Sequence, residues 1–382
     1  MGPSPGWARF RDKTMKTRSA TFSEWADQKA PAVFILPAIL IILLLAIFPL
    51  LISLYLSLCR FKFIKGGFSL KYIGWLNFKK LLVGSQQFHF LGTFGELTPA
   101  EAVIIVMLGA LLLWGLIRYF KARAVTAIGV VGRLILTAGL VSLAWLVFLT
   151  VNQKGFPGTL MVTLFYVFFG VLIQFLIGLG LAFLCAQRLQ GRNFFRLIFF
   201  IPLMVTPVGI AYTFRMLVDT VKGPLAPIWE WFGWGAIAWV TDPWAARWVI
   251  VLGDTWQWTP FMFIVLLAAL ENQSRDQVEA ALMDGASQWQ IFRDITWPAM
   301  VPVSVSVLLI RIIEAFKIID LPNVLTNGGP GIASESLTLH AFMAWRSLDL
   351  GGSAAVAYML LFVSVFFSMT FINFARYQLK NP

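Results

Sequence analysis

The residues of this chain best suited to chemistry are suited to binding, not to breaking bonds. Asp254, Trp256, Gln257, Trp258 and Phe261 combine a carboxylate, an amide and flat ring faces within one short stretch. Such a set can hydrogen-bond hydroxyl groups while it stacks on apolar ring faces. No loop places paired carboxylates beside a histidine or a nucleophile motif, so no catalytic site is expected. No G-x-x-x-x-G-K-S/T phosphate loop is present to hold ATP and its magnesium. Cys59 and Cys185 stand far apart and form neither a CxxC pair nor a disulfide framework. His89 and His340 lack an H-E-x-x-H pattern or a neighbouring carboxylate, so they are expected to pack the outer loops and not to bind metal.

Two further polar groups interrupt apolar sequence. Arg311, Glu314, Lys317 and Asp320 recur at three-residue steps, and helical neighbours at i and i+3 can pair. An internally neutralised ladder is expected. The alternative turns Lys317 or Arg311 into a cavity, where it would attract an anionic ligand. The second group is the island 271–298, centred on Glu279-Ala280-Ala281-Leu282-Met283-Asp284-Gly285-Ala286. Gly285 can take the left-handed conformation that ends a helix, and Ser287 with Gln290 has the spacing of a capping box that starts another. This predicts helix, sharp turn, helix, followed by a membrane helix whose first turn holds Pro298. Small residues at Ala280, Ala281, Gly285 and Ala286 would let another protein's groove approach the backbone, with Glu279 and Asp284 at its rim.

The elements that must position these groups follow from composition. Of 382 residues, 59% are hydrophobic and 13% charged, against about 45–50% and about 25% in soluble domains. An all-α integral membrane protein is predicted. The net charge of +12 is spread thinly between apolar blocks, which favours lipid headgroups over nucleic acid as counterions. Eight candidate spans lie near 33–56, 101–120, 130–151, 159–186, 197–218, 248–270, 299–320 and 351–375. The first is too long for a cleaved signal. Placing both termini in the cytoplasm puts most Lys and Arg inside, although Arg60, Lys62, Lys65, Lys71, Lys79 and Lys80 then crowd the first outer loop. Pro37, Pro49, Pro202, Pro207 and Pro260 would interrupt hydrogen bonds within their spans.

The pattern E-A-A, three residues, G, nine residues, I-x-x-P resembles the coupling loop of inner-membrane subunits of binding-protein-dependent ABC importers. Four further stretches agree in order. Tyr72-Ile73-Gly74-Trp75-Leu76-Asn77-Phe78 resembles the first outer-loop signature, and Gly191-Arg192-Asn193-Phe194-Phe195-Arg196 resembles an R-G-R-x-x-F-R stretch, departing at Gln190. Asp254 to Phe261 and Leu325-Thr326-Asn327-Gly328-Gly329-Pro330 resemble the maltose-type carbohydrate permeases. The resemblance implies a type I importer core of six helices in a multi-pass protein of the bacterial inner membrane. It divides the chain into a cytoplasmic segment 1–30, a first span and outer loop 31–91, an inserted hairpin of two spans 92–157, and a permease core 158–382 with its coupling loop at 271–298.

What the resemblance implies about partners is a second permease subunit forming a heterodimer, two copies of a cytoplasmic ATPase that bind ATP and magnesium, and an extracytoplasmic solute-binding protein that delivers a sugar. Glu279, Ala280, Ala281, Asp284 and Gly285 would couple to the ATPase. Matching motifs place Leu203, Asp254, Trp258, Phe261, Ala315 and Ile318 on the sugar pathway, and Gln257 and Lys317 join them from their own chemistry. Leu203, Ala315 and Ile318 are apolar where the family has polar contacts, so the substrate could differ. A proton- or ion-coupled secondary transporter using Asp254, Glu314 or Asp320 as a relay is the alternative, and it calls for inverted repeats that are not visible.

Overall fold

The computed structural model describes residues 34–120, 127–151, 155–187, 191–235 and 238–380. The segment 1–30 and residues Lys121, Arg123 and Arg188 lie outside the described residues, as do the side chains of Arg192, Arg376 and Lys380. Residues up to Leu56 form one compact unit, and Ser57 onward forms the other. Among the described residues the first unit holds one apolar helix, α1 (Phe34–Ser57, its last residue counted with the second unit), whose uncharged run of 24 residues is long enough to cross a bilayer.

In the second unit the chain leaves α1 through a hairpin, β1 Cys59–Ile64 and β2 Gly67–Tyr72, paired antiparallel from Cys59↔Tyr72 to Ile64↔Gly67. The first outer-loop signature follows. Its Asn77, at the start of α2 (Leu76–Val83), donates from Nδ2 to the carbonyls of Ser57 and Cys59 at 2.8 and 2.9 Å and so fastens the base of the hairpin. Phe78 and Leu81 bury beside Phe90 of α3 (Gln87–Phe90), against Leu337, Val356 and Tyr358.

Two apolar helices, α4 (Pro99–Arg118) and α5 (Gly132–Val151), come next and pack on each other. They leave and return at one place, because β3 (Gly92–Thr93) pairs antiparallel with β4 (Phe156–Pro157). The excursion therefore closes on itself.

The core is built by α6 (Thr159–Ala186), α10 (Pro243–Glu271), α12 (Gln288–Ala315) and α15 (Leu350–Ala375). The helices α6 and α10 run in close apposition, which requires Gly178: a Cβ there would stand 2.6 Å from the Met262 Cβ. Without a hydrophobic force between helices in lipid, close backbone approach at small residues supplies the packing energy. Val167, Phe175 and Ala182 of α6, Met262, Phe263 and Leu266 of α10, and Met300, Val307 and Ala315 of α12 form the central buried cluster.

The spans differ from expectation at three places. The fifth, near 197–218, is two helices, α7 (Asn193–Met204) and α8 (Pro207–Leu217), bent by 99°. Pro202 and Pro207 flank the break, and the Thr206 hydroxyl caps α8 by accepting from Gly209 N. The chain therefore has seven long apolar helices among its described residues, or eight with this bent pair. Pro260, by contrast, lies inside an unbroken α10. The seventh span begins at Gln288 and ends at Ala315, earlier at both ends than 299–320, because the helix starting at Ser287 continues through a π-helical turn, Phe292–Thr296, directly into it. Between the long helices lie the short α9 (Ala226–Trp231), α11 (Arg275–Met283), α13 (Asp320–Thr326) and α14 (Leu337–Arg346).

Candidate functional site

Asp254 sits about three turns inside α10, deeper than the sequence placed it, and is only 5% exposed. An ionised carboxylate removed from water needs a partner, and it has two. Gln174 of α6 donates from Nε2 to Asp254 Oδ2 at 2.8 Å, and Arg311 of α12 forms an ion pair with the same oxygen through Nη2. Arg311 Nε also donates to Gln174 Oε1 at 2.7 Å, which closes a three-membered ring of contacts across three helices. Above the guanidinium lies the Trp258 ring, 4.7 Å away, a cation–π contact worth about 0.5–2 kcal/mol. Gly170 leaves room for the cluster, since a Cβ there would come within 3.2 Å of Asp254 Oδ2. Breaking such a buried pair from one side costs about 3–5 kcal/mol, because it strands the remaining charge.

Of the expected charge ladder on the seventh span only the Glu314–Lys317 rung forms. Arg311 turns inward to Asp254 and Gln174, Lys317 lies beyond the helix end and pairs with Glu314 at 2.6 Å on the surface, and Asp320 starts α13. A charge buried among apolar helices recruits the nearest opposite charge regardless of sequence spacing. Gln174 is a buried polar partner that sequence reasoning missed, although an amide within an uncharged span was the visible signal.

The remaining pathway candidates divide. Gln257 is buried, while Trp258 and Phe261 are half-buried and meet edge to face at 6.1 Å. Ala315 belongs to the central apolar cluster, Ile318 packs against the second buried cluster, which includes Ile210 and Val249, and Leu203 is half-buried just before the break in the bent pair. Trp256 is exposed. A groove of about 550 Å³ lies elsewhere, between Asn193, Arg196, Phe200, Phe263 and Glu271, beside the 271–298 loop. There Arg196 forms an ion pair with Glu271 and donates to the Cys185 carbonyl at 3.1 Å.

At that end of α10 the polar island folds as α11, a sharp turn and the start of α12. Gly285 takes φ = +79°, Gly285 N donates to Leu282 O, and Ala286 N donates to Ala281 O. This is a Schellman end, which a residue with a Cβ adopts only under strain. The predicted capping box is present: Gln290 N donates to Ser287 Oγ, and Ser287 N donates to Gln290 Oε1 at 2.8 Å. No residue of α11 is buried. Glu279, Ala280, Asp284 and Gly285 are exposed and Ala281 is half-exposed, and Met283 exposes 88% of its surface, with Leu282 and Trp289 open beside it. An apolar strip on a rigid, doubly capped turn offers itself to a partner.

The opposite end of α12 leads to the Leu325 to Pro330 stretch, whose Asn327 and Gly328 take positive φ. Its role is architectural. Arg247 Nε donates to Ala333 O at 2.6 Å, Tyr166 Oη donates to Ser334 O at 2.8 Å, and Ser334 Oγ donates to Gly329 O at 2.6 Å. The loop so held delivers Ser336 as N-cap of α14 and Glu335 beside it. Here the two histidines expected to be isolated meet. Their rings stack 3.9 Å apart, and His89 Nε2 lies 2.8 Å from Glu335 Oε2.

A family model described as binding-protein-dependent transport system inner membrane component matches residues 175–377. The chain is 34% identical over 227 residues to the trehalose/maltose transport system permease protein of Thermococcus litoralis, covering 59% of this chain and 77% of that protein. It is 30% identical over 224 residues to the arabinooligosaccharides transport system permease protein of Bacillus subtilis, covering 57% and 71%. Its fold is similar to that of a chain in the crystal structure of a bacterial alginate ABC transporter in complex with an alginate pentasaccharide-bound periplasmic protein, with a TM-score of 0.53 over 74% of this chain and 96% of that one, at 18% identity.

Proposed function

This chain belongs to the family of binding-protein-dependent transport system inner membrane components, and from that premise we propose that it is the membrane-spanning permease subunit of an ATP-driven importer that translocates a carbohydrate by alternating access. It is a multi-pass inner-membrane protein. Both termini face the cytoplasm, and an extracytoplasmic solute-binding protein supplies the sugar. A second permease subunit completes the channel as a heterodimer. Two copies of a separate ATPase hold the ATP and magnesium, docking on the loop 271–298. Residues 92–157 are a hairpin added to the six-helix core, and 1–30 form a cytoplasmic segment.

The observation that carries this reading is the uncovered α11 with its Gly285 end. Its two arms are α10 and α12, the same helices that hold Asp254 and Arg311. A rigid displacement of α11 by an ATPase therefore pulls on both sides of the buried pair. ATP shifts the balance between outward and inward states only through a difference in contacts, and the Asp254, Gln174 and Arg311 cluster is a set of contacts that such a displacement could exchange. In this reading the sugar stacks on Trp258 and Phe261, with Leu203, Gln257, Ala315, Ile318 and Lys317 along its path, and Asp254 and Arg311 hold the wall behind Trp258. The test is co-purification with an ATPase whose substrate-stimulated hydrolysis is lost in Glu279→Lys and Gly285→Pro. Hydrolysis and uptake unchanged in both variants would overturn the coupling role.

A further inference from the structure

The polar cluster joining His89, Glu335 and His340 is not used by the transport reading. It lies at the end of α12 away from the 271–298 loop, and it draws on two separate parts of the chain: α3 in the outer-loop segment, and the loop and helix that follow α13. One ligand atom from each residue lies within 4.8 Å of the others. Glu335 is 6% exposed and His340 4%. The pairing with His89 accounts for only one carboxylate oxygen. Glu335 Oε1 is buried without a hydrogen-bond partner, and an orphaned buried carboxylate oxygen is costly.

We propose that His89, Glu335 and His340 form a binding site for a divalent 3d metal ion, zinc by preference, that fastens the outer-loop segment to the core. Two imidazole nitrogens and one carboxylate oxygen are a donor set that suits zinc, with a water at the fourth position. Tetrahedral bonds of about 2.0–2.2 Å set ligand atoms about 3.4 Å apart, so the ion would draw the three groups together by roughly an ångström. It would satisfy the orphaned oxygen in doing so. His340 is buried at 4% exposure with its ring held beside the other two donors, and a ligating imidazole binds the ion through the lone pair of its neutral form. Thr159 Oγ1, 3.3 Å from His340 Nδ1, fixes the ring as hydroxyl and carboxylate groups fix metal-bound histidines.

The experiment uses the full-length chain without an affinity tag, stripped with chelator and re-equilibrated with zinc. Gel filtration followed by elemental mass spectrometry is expected to return about one zinc per chain, and cobalt loaded in its place is expected to give the visible absorption of a tetrahedral site. Glu335→Gln keeps the shape of the side chain and is expected to lower zinc affinity about 10–100-fold. Its melting temperature in chelator should equal that of the unaltered chain, and zinc should raise the melting point of the unaltered chain alone. His340→Gln serves as the second variant. Zinc at background level in the unaltered chain, or full zinc retention by Glu335→Gln, would refute the site, and neither readout depends on transport.

Discussion

The cluster around Asp254 and the loop around Gly285 are carried by the same two helices, and they treat polar groups in opposite ways. At Asp254 every charge is spent inside the molecule: carboxylate, amide and guanidinium answer one another across α6, α10 and α12. At Gly285 the backbone is satisfied with equal care, by a Schellman end and a capping box, yet the side chains are turned outward. A site closed on itself holds a conformation. One whose shape is fixed while its side chains stay open is suited to the coupling role proposed for it. The contrast predicts that the two regions fail differently, the first through stability and the second through coupling.

The largest effect should follow from Arg311→Met. It leaves the buried Asp254 carboxylate without its countercharge and with only the Gln174 amide donating to it, so stability should fall by about 3–5 kcal/mol, read as a lower melting temperature and yield of the purified chain. The double variant Arg311→Met with Asp254→Asn removes both charges and should regain most of that loss. If the double variant is no better than the single one, the pair is not what holds the three helices.

Gly285→Val comes next and should separate the regions. A β-branched residue at φ = +79° costs about 1–2 kcal/mol, and nothing crowds the position within 4 Å, so the fold should persist. Uptake should nevertheless fall by about tenfold or more, equivalent to about 1.4 kcal/mol, while the ATPase still hydrolyses. Loss of stability and uptake in proportion would erase the distinction drawn between loop and cluster.

How much of this was legible in the sequence differs along the same line. The turn at Gly285 and the capping box at Ser287 were readable because their interactions are local, spanning at most five residues of chain. So were most spans, since bilayer thickness sets their length. Arg311 was misread because helical spacing offered Glu314 as a near partner, whereas burial favours the partner that shares the interior, 57 residues away in sequence. His89 and Glu335 meet across 246 residues, a separation no motif encodes. The break in the fifth span was signalled by Pro202 and Pro207, but two prolines do not specify a 99° bend.

A smaller effect is expected from Ser287→Ala. It removes the side-chain acceptor for Gln290 N and one of the two donors to Gln290 Oε1, leaving the Ser287 backbone N–H, and caps of this kind are worth about 1 kcal/mol. The start of α12 should fray locally, detected as faster amide exchange at Trp289 to Ile291 with little change in global melting. Uptake should fall less than for Gly285→Val, because the left-handed turn survives.

Lys317→Met should change stability least, by under about 0.5 kcal/mol, since its pairing with Glu314 is a surface i, i+3 contact. Its value lies in what it isolates. Arg311 is consumed by Asp254 and Gln174 and cannot also serve a ligand in this conformation. Lys317, half a turn past the end of the same helix and more than half exposed, is a cation near Arg311 that remains within reach of one. Uptake of an acidic sugar should drop about two- to fivefold relative to a neutral one, the size expected of one screened charge. Equal loss for both sugars would mean that Lys317 supports the helix end and selects nothing, and the open half of the comparison would then contract to the 271–298 loop.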